Sequence, residues 1–214
     1  MGDVIKAIGA VYNGYRFRSR LEARWAMFFD FLGIPYVYEP EGLKIGGICY
    51  LPDFYLPDCK QFFEVKGVMD SDSEEKINAL IKAGYSVTVG YDDGRFQACD
   101  NWSYPEESPT FELSNDSGLF KCATCGKYWF MGNIGIWTCQ CCGTHEGDHH
   151  LIPIMYCYRD KTGTWHDPDR KEWDVARQAR FEHGETPIAN QPIKEISQED
   201  FEAWKKNRTS NPRI

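Results

Sequence analysis

A carboxylate and an amine lie two residues apart in the segment 61–66, at Glu64 and Lys66. The aromatic and β-branched residues of this segment predict a strand, so both side chains project from the same face. Asp53 follows Pro52 in the preceding stretch and can bring a second carboxylate beside Glu64. Two adjacent carboxylates repel each other unless a divalent cation lies between them, and oxygen ligands favour Mg²⁺ or Mn²⁺. The pattern predicts a site in which a bound metal activates water for attack on a phosphate ester and Lys66 positions that water.

Glu22 is a third candidate carboxylate, because it lies in a predicted helix from which it can reach the same metal directly or through water. Ser19 and Glu22 also fit a capping box, in which Glu22 only returns a hydrogen bond to the start of the helix. The other groups have ordinary alternatives too: Asp53 as part of an edge-strand turn, and the acid and amine of 61–66 as an ion pair worth at most about 1 kcal/mol. Asp58, in a second Pro-Asp pair, is disfavoured as a ligand because only five residues separate it from Glu64.

Five of the nine cysteines fall between positions 122 and 142. An odd number excludes a framework in which every cysteine is paired, and the short spacing indicates metal ligation. Two Cys-x2-Cys pairs are separated by thirteen residues, and a glycine follows the second cysteine of each pair, which is typical of a closed tetrahedral zinc site. Four unligated thiols or an iron–sulfur cluster are the alternatives. The predicted zinc ligands are Cys122, Cys125, Cys139 and Cys142.

The other cysteines and the nearby histidines are not assigned to a metal. Cys141 lies between two predicted ligands and could replace Cys142 or stay free. We expect the neighbouring histidines to lie on the surface or to support the ligands; they are His145, His149 and His150. The scattered cysteines are expected to be small buried hydrophobic residues; they are Cys49, Cys59, Cys99 and Cys157.

The net charge of −8 comes from the middle of the chain, since residues 70–120 hold 3 basic and 11 acidic side chains. An acidic protein can still present a local basic surface. A cluster of arginines at the start of the predicted first helix suits contacts to phosphate, although a solvated helix start would use the same residues. These are Arg16, Arg18, Arg20 and Arg24. The C-terminal segment mixes acids and bases, which fits a solvated helix pair or a dimer contact equally well.

Periodicity and turn residues predict the elements that must position these side chains. Amphipathic helices are predicted at 19–32 and 74–83, each followed by a glycine. Short aromatic and β-branched segments, separated by Gly-Gly and Pro-Asp, predict a three-stranded meander and one later strand. These strands are expected at 36–39, 48–51, 61–66 and 85–90. The order α-β-β-β-α-β describes a minimal α/β (α+β) sandwich.

A stretch rich in acidic residues, Pro and Ser follows this unit and predicts a linker. The expected divisions are a core at 1–95, a linker at 96–118, a zinc ribbon at 119–146 and a C-terminal region at 147–214. The C-terminal region is expected to hold a strand at 151–156, polar helices near 169–182 and 198–206, and a frayed tail at 207–214.

The ordered motifs over about residues 12–91 resemble the PD-(D/E)XK nuclease superfamily: a helix with Glu22, then Leu-Pro-Asp53-Phe, then Phe-Glu64-Val65-Lys66-Gly, then a helix and a strand. The resemblance implies a restriction-endonuclease-like core in which Asp53, Glu64 and the Val65 carbonyl bind Mg²⁺ or Mn²⁺. It also implies that Lys66 is the catalytic lysine and Glu22 the first-helix carboxylate. The stretch 15–26 is similar to small nuclease-like proteins of phages and prophages.

The function expected from these features is hydrolysis of phosphodiester bonds in DNA, with the four cysteines binding structural Zn²⁺. The alternative is a catalytically silent nuclease-like factor of phage origin that binds nucleic acid or a host defence protein. The DNA could be duplex, single-stranded or branched, and the protein could form a homodimer. No apolar stretch is long enough to cross a bilayer and no export signal is recognisable, which predicts a cytoplasmic protein.

Overall fold

A computed structural model shows a mixed α+β protein with several sheets and few helices. It describes residues 8–99, 113, 114, 116–132, 139, 141–144, 151–159, 162, 165, 166 and 171–181. The helices are α1 (Arg20–Leu32), α2 (Ser71–Lys82) and α3 (Lys171–Gln178). The strands are β1 (Ala10–Tyr12), β2 (Tyr15–Phe17), β3 (Val37–Tyr38), β4 (Leu43–Ile45), β5 (Ile48–Tyr50), β6 (Phe54–Leu56), β7 (Gln61–Lys66), β8 (Ser86–Tyr91), β9 (Phe96–Cys99), β10 (Asp116–Cys122), β11 (Tyr128–Met131), β12 (Leu151–Arg159) and β13 (Trp165–His166).

A five-stranded sheet in the order β3-β6-β7-β8-β9 forms the centre of the fold. β7 and β8 run parallel, and the other neighbours in this sheet are antiparallel. Parallel neighbours need a crossover connection, and α2 supplies it between β7 and β8. β7 and β8 are buried over nearly their whole length, as expected for strands covered on both faces.

α1 packs its aromatic side across this sheet. The Ser19 hydroxyl caps its N-terminus, and Gly33 ends it with a left-handed conformation at φ 69°. The ring centroids of Trp25 and Phe29 lie 4.7 Å and 5.0 Å from that of Phe63 on β7. The predicted helix 19–32 is confirmed, and its packing on β7 fixes the position of the strand that carries Glu64 and Lys66.

The prediction that residues 48–51 form the central strand of the meander was wrong. Residues 48–50 form β5, which pairs with β4 in a separate hairpin, and β6 instead lies between β3 and β7. The reason is local: Gly46 and Gly47 adopt positive φ values of 54° and 91°, which closes a tight two-residue turn. Asp53 consequently lies directly before the strand that pairs with β7.

Part of the predicted linker 96–118 is also sheet. β9 adds an edge to the central sheet, and the Ala98 backbone bonds to Ser114 and Ser117 at the start of β10. Phe130 of β11 then packs against Phe96 and Phe63, with ring centroids 5.0 Å and 5.2 Å apart. The polar composition of residues 96–118 favoured a linker and did not indicate these contacts. The predicted core and ribbon therefore share one continuous hydrophobic core.

The second sheet has the order β11-β10-β12-β13, and β12 contains the predicted strand 151–156. α3 lies within the helix predicted near 169–182, whereas the helix predicted near 198–206 and the tail fall outside the described residues. α2 begins three residues earlier than predicted because the Asp70 carboxylate caps it by accepting a hydrogen bond from Ser73 N at 2.8 Å. None of the described helices is long and apolar enough to cross a lipid bilayer.

Candidate active site and metal centre

Asp53 and Glu64 lie opposite each other where β6 meets β7. The antiparallel register pairs Phe54 with Phe63, and extending it by one step places Asp53 across from Glu64. Asp53 N donates to Glu64 Oε1 at 3.2 Å, and Val65 N donates to Asp53 Oδ2 at 2.8 Å. The N–H and C=O of one strand residue point to the same side, so the Val65 carbonyl faces the side on which Asp53 lies. The sheet thus brings together the two carboxylates and the carbonyl that the sequence singled out.

Lys66 lies beside this pair. Its Nζ is 3.3 Å from Glu64 Oε2, and its side chain is only 22% exposed. The same-face geometry follows from the two-residue spacing on β7, as the sequence predicts. The ammonium group of Lys66 thus lies beside the carboxylate pair and is still partly exposed to water.

Burial raises the pKa of both carboxyl groups, and repulsion from Asp53 adds to the shift of Glu64. Glu64 is 1% exposed, and burial followed by the charge of Asp53 raises its pKa to about 7, against the opposing effect of Lys66. Burial also raises the pKa of Asp53, which is 6% exposed, while Lys66 opposes that shift. Two adjacent buried carboxyl groups with raised pKa values would be stabilised in their charged form by a further cation. These groups fit a divalent metal bound by oxygen atoms.

Arg18 joins the pair to two more carboxylates. Its Nη2 lies 2.5 Å from Asp53 Oδ1, and its Nε lies 2.9 Å from Glu39 Oε1 and 4.0 Å from Glu22 Oε2. Burial lowers the pKa of Arg18, but the surrounding carboxylates more than offset this and raise it. Arg18 is the predicted arginine that the structure places in the site.

Glu22 serves the helix start, as the capping alternative predicts. Glu22 N donates to Ser19 Oγ at 3.1 Å, and Ser19 Oγ donates to Glu22 Oε1 at 2.8 Å. The other carboxylate oxygen accepts from Tyr38 Oη at 2.7 Å and from Arg18 N at 3.1 Å. Glu22 therefore reaches Asp53 through Arg18, and its role as a direct metal ligand stays a prediction.

Tyr50 is a member of the site that the sequence analysis did not single out. Its hydroxyl is buried, and burial followed by the charges of Glu64 and Asp53 raises its pKa. The hairpin of β4 and β5 carries it to this position. Tyr50 ends a short strand, and its neighbours in the sequence do not indicate that it belongs to the site. It reaches the site only because the hairpin folds onto β7.

The four predicted zinc ligands form one compact cluster. The Sγ atoms of Cys122, Cys125, Cys139 and Cys142 all lie within 4.8 Å of one another. The Sγ separations are 3.8 Å for Cys122 to Cys142 and 3.6 Å for Cys125 to Cys139. A tetrahedral zinc ion with bonds of about 2.3 Å has ligand atoms about 3.8 Å apart, so the cluster can hold a zinc-type metal.

Two matching turns build this cluster. Gly126 N donates to Cys122 O and Gly143 N donates to Cys139 O, each at 2.8 Å. Both glycines have φ 73°, a left-handed conformation that explains why a glycine follows each Cys pair. The repeated geometry supplies one pair of thiols from each turn.

The cluster thiols have different environments. Hydrogen bonding to Thr144 lowers the pKa of Cys142 to about 6, whereas burial raises that of Cys139 to about 12. A metal ion binds the thiolate form, so Cys142 is already suited to ligation at neutral pH. Cys141 is exposed and does not belong to the cluster, so Cys142 is the cysteine of this turn that completes the group of four.

The remaining predicted positions divide into several groups. Cys59 and Cys99 are buried as predicted, but Cys49 is exposed, because it faces outward from the two-stranded hairpin of β4 and β5. Asp58 binds Lys127 Nζ at 2.7 Å, so its carboxylate is engaged with the cysteine turn and not with Glu64. The side chain of Cys157 and the three histidines lie outside the described part of the chain.

The carboxylates are less tightly gathered than the cysteines. Among the described residues, the four cysteines are the one group of three or more Cys, His, Asp or Glu ligand atoms lying within 4.8 Å of one another. Glu22, Asp53 and Glu64 are not such a group. A metal at this site would therefore be held by Asp53, Glu64 and the Val65 carbonyl, with water completing its coordination, as is usual for Mg²⁺.

The metal-free protein is expected to lose stability as pH rises from about 4.5 to about 7, because the folded state retains a Glu64 proton that the unfolded chain releases. This contribution is complete below the lower pH, vanishes above the higher one and amounts to roughly 3 kcal/mol. The Glu64→Gln variant should lack it. Urea unfolding in EDTA across this window, with the exposed Glu41→Gln as control, measures the difference. Parallel profiles for wild type and Glu64→Gln would contradict the expectation.

No protein-family model matches this chain, and no curated protein or solved structure is significantly similar to it.

Proposed function

We propose that this protein is a divalent-metal-dependent nuclease of the PD-(D/E)XK type, which hydrolyses phosphodiester bonds in DNA. One observation carries the proposal: Asp53, directly before β6, and Glu64 on β7 are buried side by side, with Lys66 Nζ 3.3 Å from Glu64 Oε2. The order of elements supports it, because α1, β3, β6, β7, α2 and β8 occur along the chain as α-β-β-β-α-β, with the hairpin of β4 and β5 inserted between β3 and β6.

The chain's own groups have distinct tasks in this proposal. Asp53, Glu64 and the Val65 carbonyl hold Mg²⁺ or Mn²⁺, which when bound lowers the pKa of a coordinated water and stabilises charge on the phosphate. Lys66 orients the attacking water or a phosphate oxygen from its position beside Glu64. Arg18 neutralises Asp53 and is half-exposed, so it can contact a neighbouring phosphate as well.

The cysteine cluster has a structural task. Four thiols close a tetrahedral site, which leaves no open position for water or substrate, and we assign it Zn²⁺. An iron–sulfur cluster also uses four cysteines, but the close approach of all four Sγ atoms fits a single ion. The metal is thus expected to stabilise the sheet of β10, β11 and β12.

A second candidate function is a catalytically silent nuclease-like protein that binds nucleic acid or a host protein. The cations around the site favour it, because Arg18 contacts Asp53 and Lys66 contacts Glu64, so that these side chains can themselves balance the two carboxylates. The intact carboxylate pair and its raised pKa values favour the nuclease, since a binding protein has no need to bury two adjacent acids.

The test is incubation of the purified protein with labelled duplex, single-stranded and branched DNA in Mg²⁺, Mn²⁺ or EDTA. We expect cleavage of at least one substrate with either metal, none in EDTA, and none by Lys66→Ala. Lys60→Ala, which removes an exposed lysine elsewhere, is the matched control and should cleave normally. Binding without cleavage under every condition would overturn the nuclease and support the second function.

A further inference from the structure

An arginine-lined cleft of about 620 Å³ lies between α1 and the end of α3. Two of its arginines come from α1 and two from the C-terminal part of α3 and the residues after it. None of the described residues that line it is acidic. The lining residues are Arg20, Arg24, Arg177, Gln178, Ala179, Arg180 and Phe181.

Helix electrostatics do not account for this cluster. Arg177 lies in the last turn of α3, where a cation is stabilised by the helix dipole. Arg20 is the first residue of α1, where the dipole disfavours a cation. Four guanidinium groups line one cleft, in a protein whose net charge is −8. Guanidinium groups gathered around one cleft suit contacts to an anion.

The packing of α3 holds the cleft in place. The ring centroid of Trp173 lies 4.3 Å from that of Trp25 on α1, and the Trp173 ring fills the space that a Cβ at position 94 would need. Ala176, Ala179 and Phe181 are buried on the same side. Because this face of α3 is fixed against α1, the exposed Arg177 and Arg180 are presented toward Arg20 and Arg24.

The cleft adjoins the candidate active site through the start of α1. Arg20 follows Ser19 and Arg18, and Arg18 contacts Asp53 at 2.5 Å. Arg20 and Arg24 are about 6 Å apart along the helix axis, a spacing that suits contacts to neighbouring phosphates of one strand. A strand that passes the carboxylate pair can therefore continue along these arginines.

We propose that this cleft binds backbone phosphates of the nucleic acid beside the cleavage position, with Arg177 and Arg180 forming one wall and Arg20 and Arg24 the other. This inference rests on the proposed nuclease function. Guanidinium groups suit the task because each can donate two parallel hydrogen bonds to a phosphate. The C-terminal helix thereby becomes part of the substrate-binding surface.

The test measures binding without cleavage, using Glu64→Gln protein in EDTA and fluorescein-labelled duplex or single-stranded DNA. Adding Arg177→Gln and Arg180→Gln should weaken binding by roughly tenfold or more at moderate salt. For duplex, the slope of log affinity against log salt should become shallower by about 2, one unit for each lost phosphate contact. The double variant Arg177→Lys with Arg180→Lys retains both positive charges. It should therefore keep most of the wild-type slope of log affinity against log salt.

A matched control is the pair Lys60→Gln and Lys82→Gln, which removes the same charge from exposed positions outside the cleft. It should change affinity little. Circular dichroism of every variant checks the fold. An unchanged slope in the arginine variant, or an equal loss in the lysine control, would overturn the proposal. Competition by inorganic phosphate with no DNA binding would also overturn it, since the cleft would then be a site for a small anion.

The test of the cleft and the test of the proposed nuclease function can fail independently of each other. With Glu64 intact, failure of the wild type to cleave any DNA would reject the nuclease while the cleft could still bind DNA with the expected salt dependence. Cleavage by the wild type with an unchanged salt slope in the arginine variant would reject the cleft and leave the nuclease standing.

Discussion

Replacing Glu64 by Gln is expected to reduce DNA cleavage by about three orders of magnitude or more, because one of the two carboxylates that we propose to hold the metal is lost. The fold should remain intact, since the amide is of the same size and relieves the repulsion with Asp53. Single-turnover cleavage and urea unfolding, measured on the same preparation, separate these effects. Loss of activity together with loss of stability would contradict the expectation.

Glu22→Gln provides the contrast within the same site. Glu22 accepts hydrogen bonds from Ser19, Tyr38 and Arg18 N, so the change should cost about 1 kcal/mol of stability through the helix start. Its effect on cleavage should be much smaller than that of Glu64→Gln, because it reaches Asp53 only through Arg18. A loss of cleavage as large as that of Glu64→Gln would instead make Glu22 a metal ligand.

Removal of the metal from the cysteine cluster is expected to destabilise the whole protein by about 3–5 kcal/mol or more. Cys122 ends β10, the strand that lies between β11 and β12, and Phe130 of β11 packs against Phe63 in the central sheet. Cys122→Ser should therefore lower the melting temperature of the entire chain in a single transition. Metal content by mass spectrometry and thermal unfolding by tryptophan fluorescence test this.

Cys141→Ser is the control for that experiment, because Cys141 is exposed and outside the cluster. It should retain one metal ion and the wild-type melting temperature. Two separate melting transitions in Cys122→Ser would show that the cysteine-bearing sheet unfolds independently, against the shared core. An unchanged metal content in Cys122→Ser would show that the cluster does not bind the metal.

The sequence predicted those features that local pattern determines. The apolar spacing of residues 19–32 and the cap at Ser19 predicted α1. The aromatic and β-branched residues of 61–66 predicted β7, and the two-residue spacing predicted the shared face of Glu64 and Lys66. The repeated Cys-x2-Cys-Gly spacing predicted the cluster, because each turn depends only on its own residues. What these residues do in catalysis stays a prediction.

The features that depend on distant partners were not predictable from such patterns. β6 has only three residues, and its pairing with β7 depends on the hairpin before it. Tyr50 approaches Glu64 only once that hairpin folds over the sheet. The packing of Trp173 on Trp25 joins residues far apart in the chain, and an amphipathic pattern does not specify its partner. Local sequence patterns therefore did not predict these features, because each depends on contacts between residues that are far apart in the chain.

The position of Phe130 limits how this protein can be divided or recombined. Its ring lies against Phe29, Phe63 and Phe96, so the strand after the first cysteine pair completes the packing of the sheet that carries Glu64. Cutting the chain between β9 and β10 would expose these aromatic rings in one fragment. The cysteine turns would be left in the other fragment. The two halves therefore cannot be exchanged as modules between proteins, and an evolutionary change at Phe130 must be matched by changes at its partners.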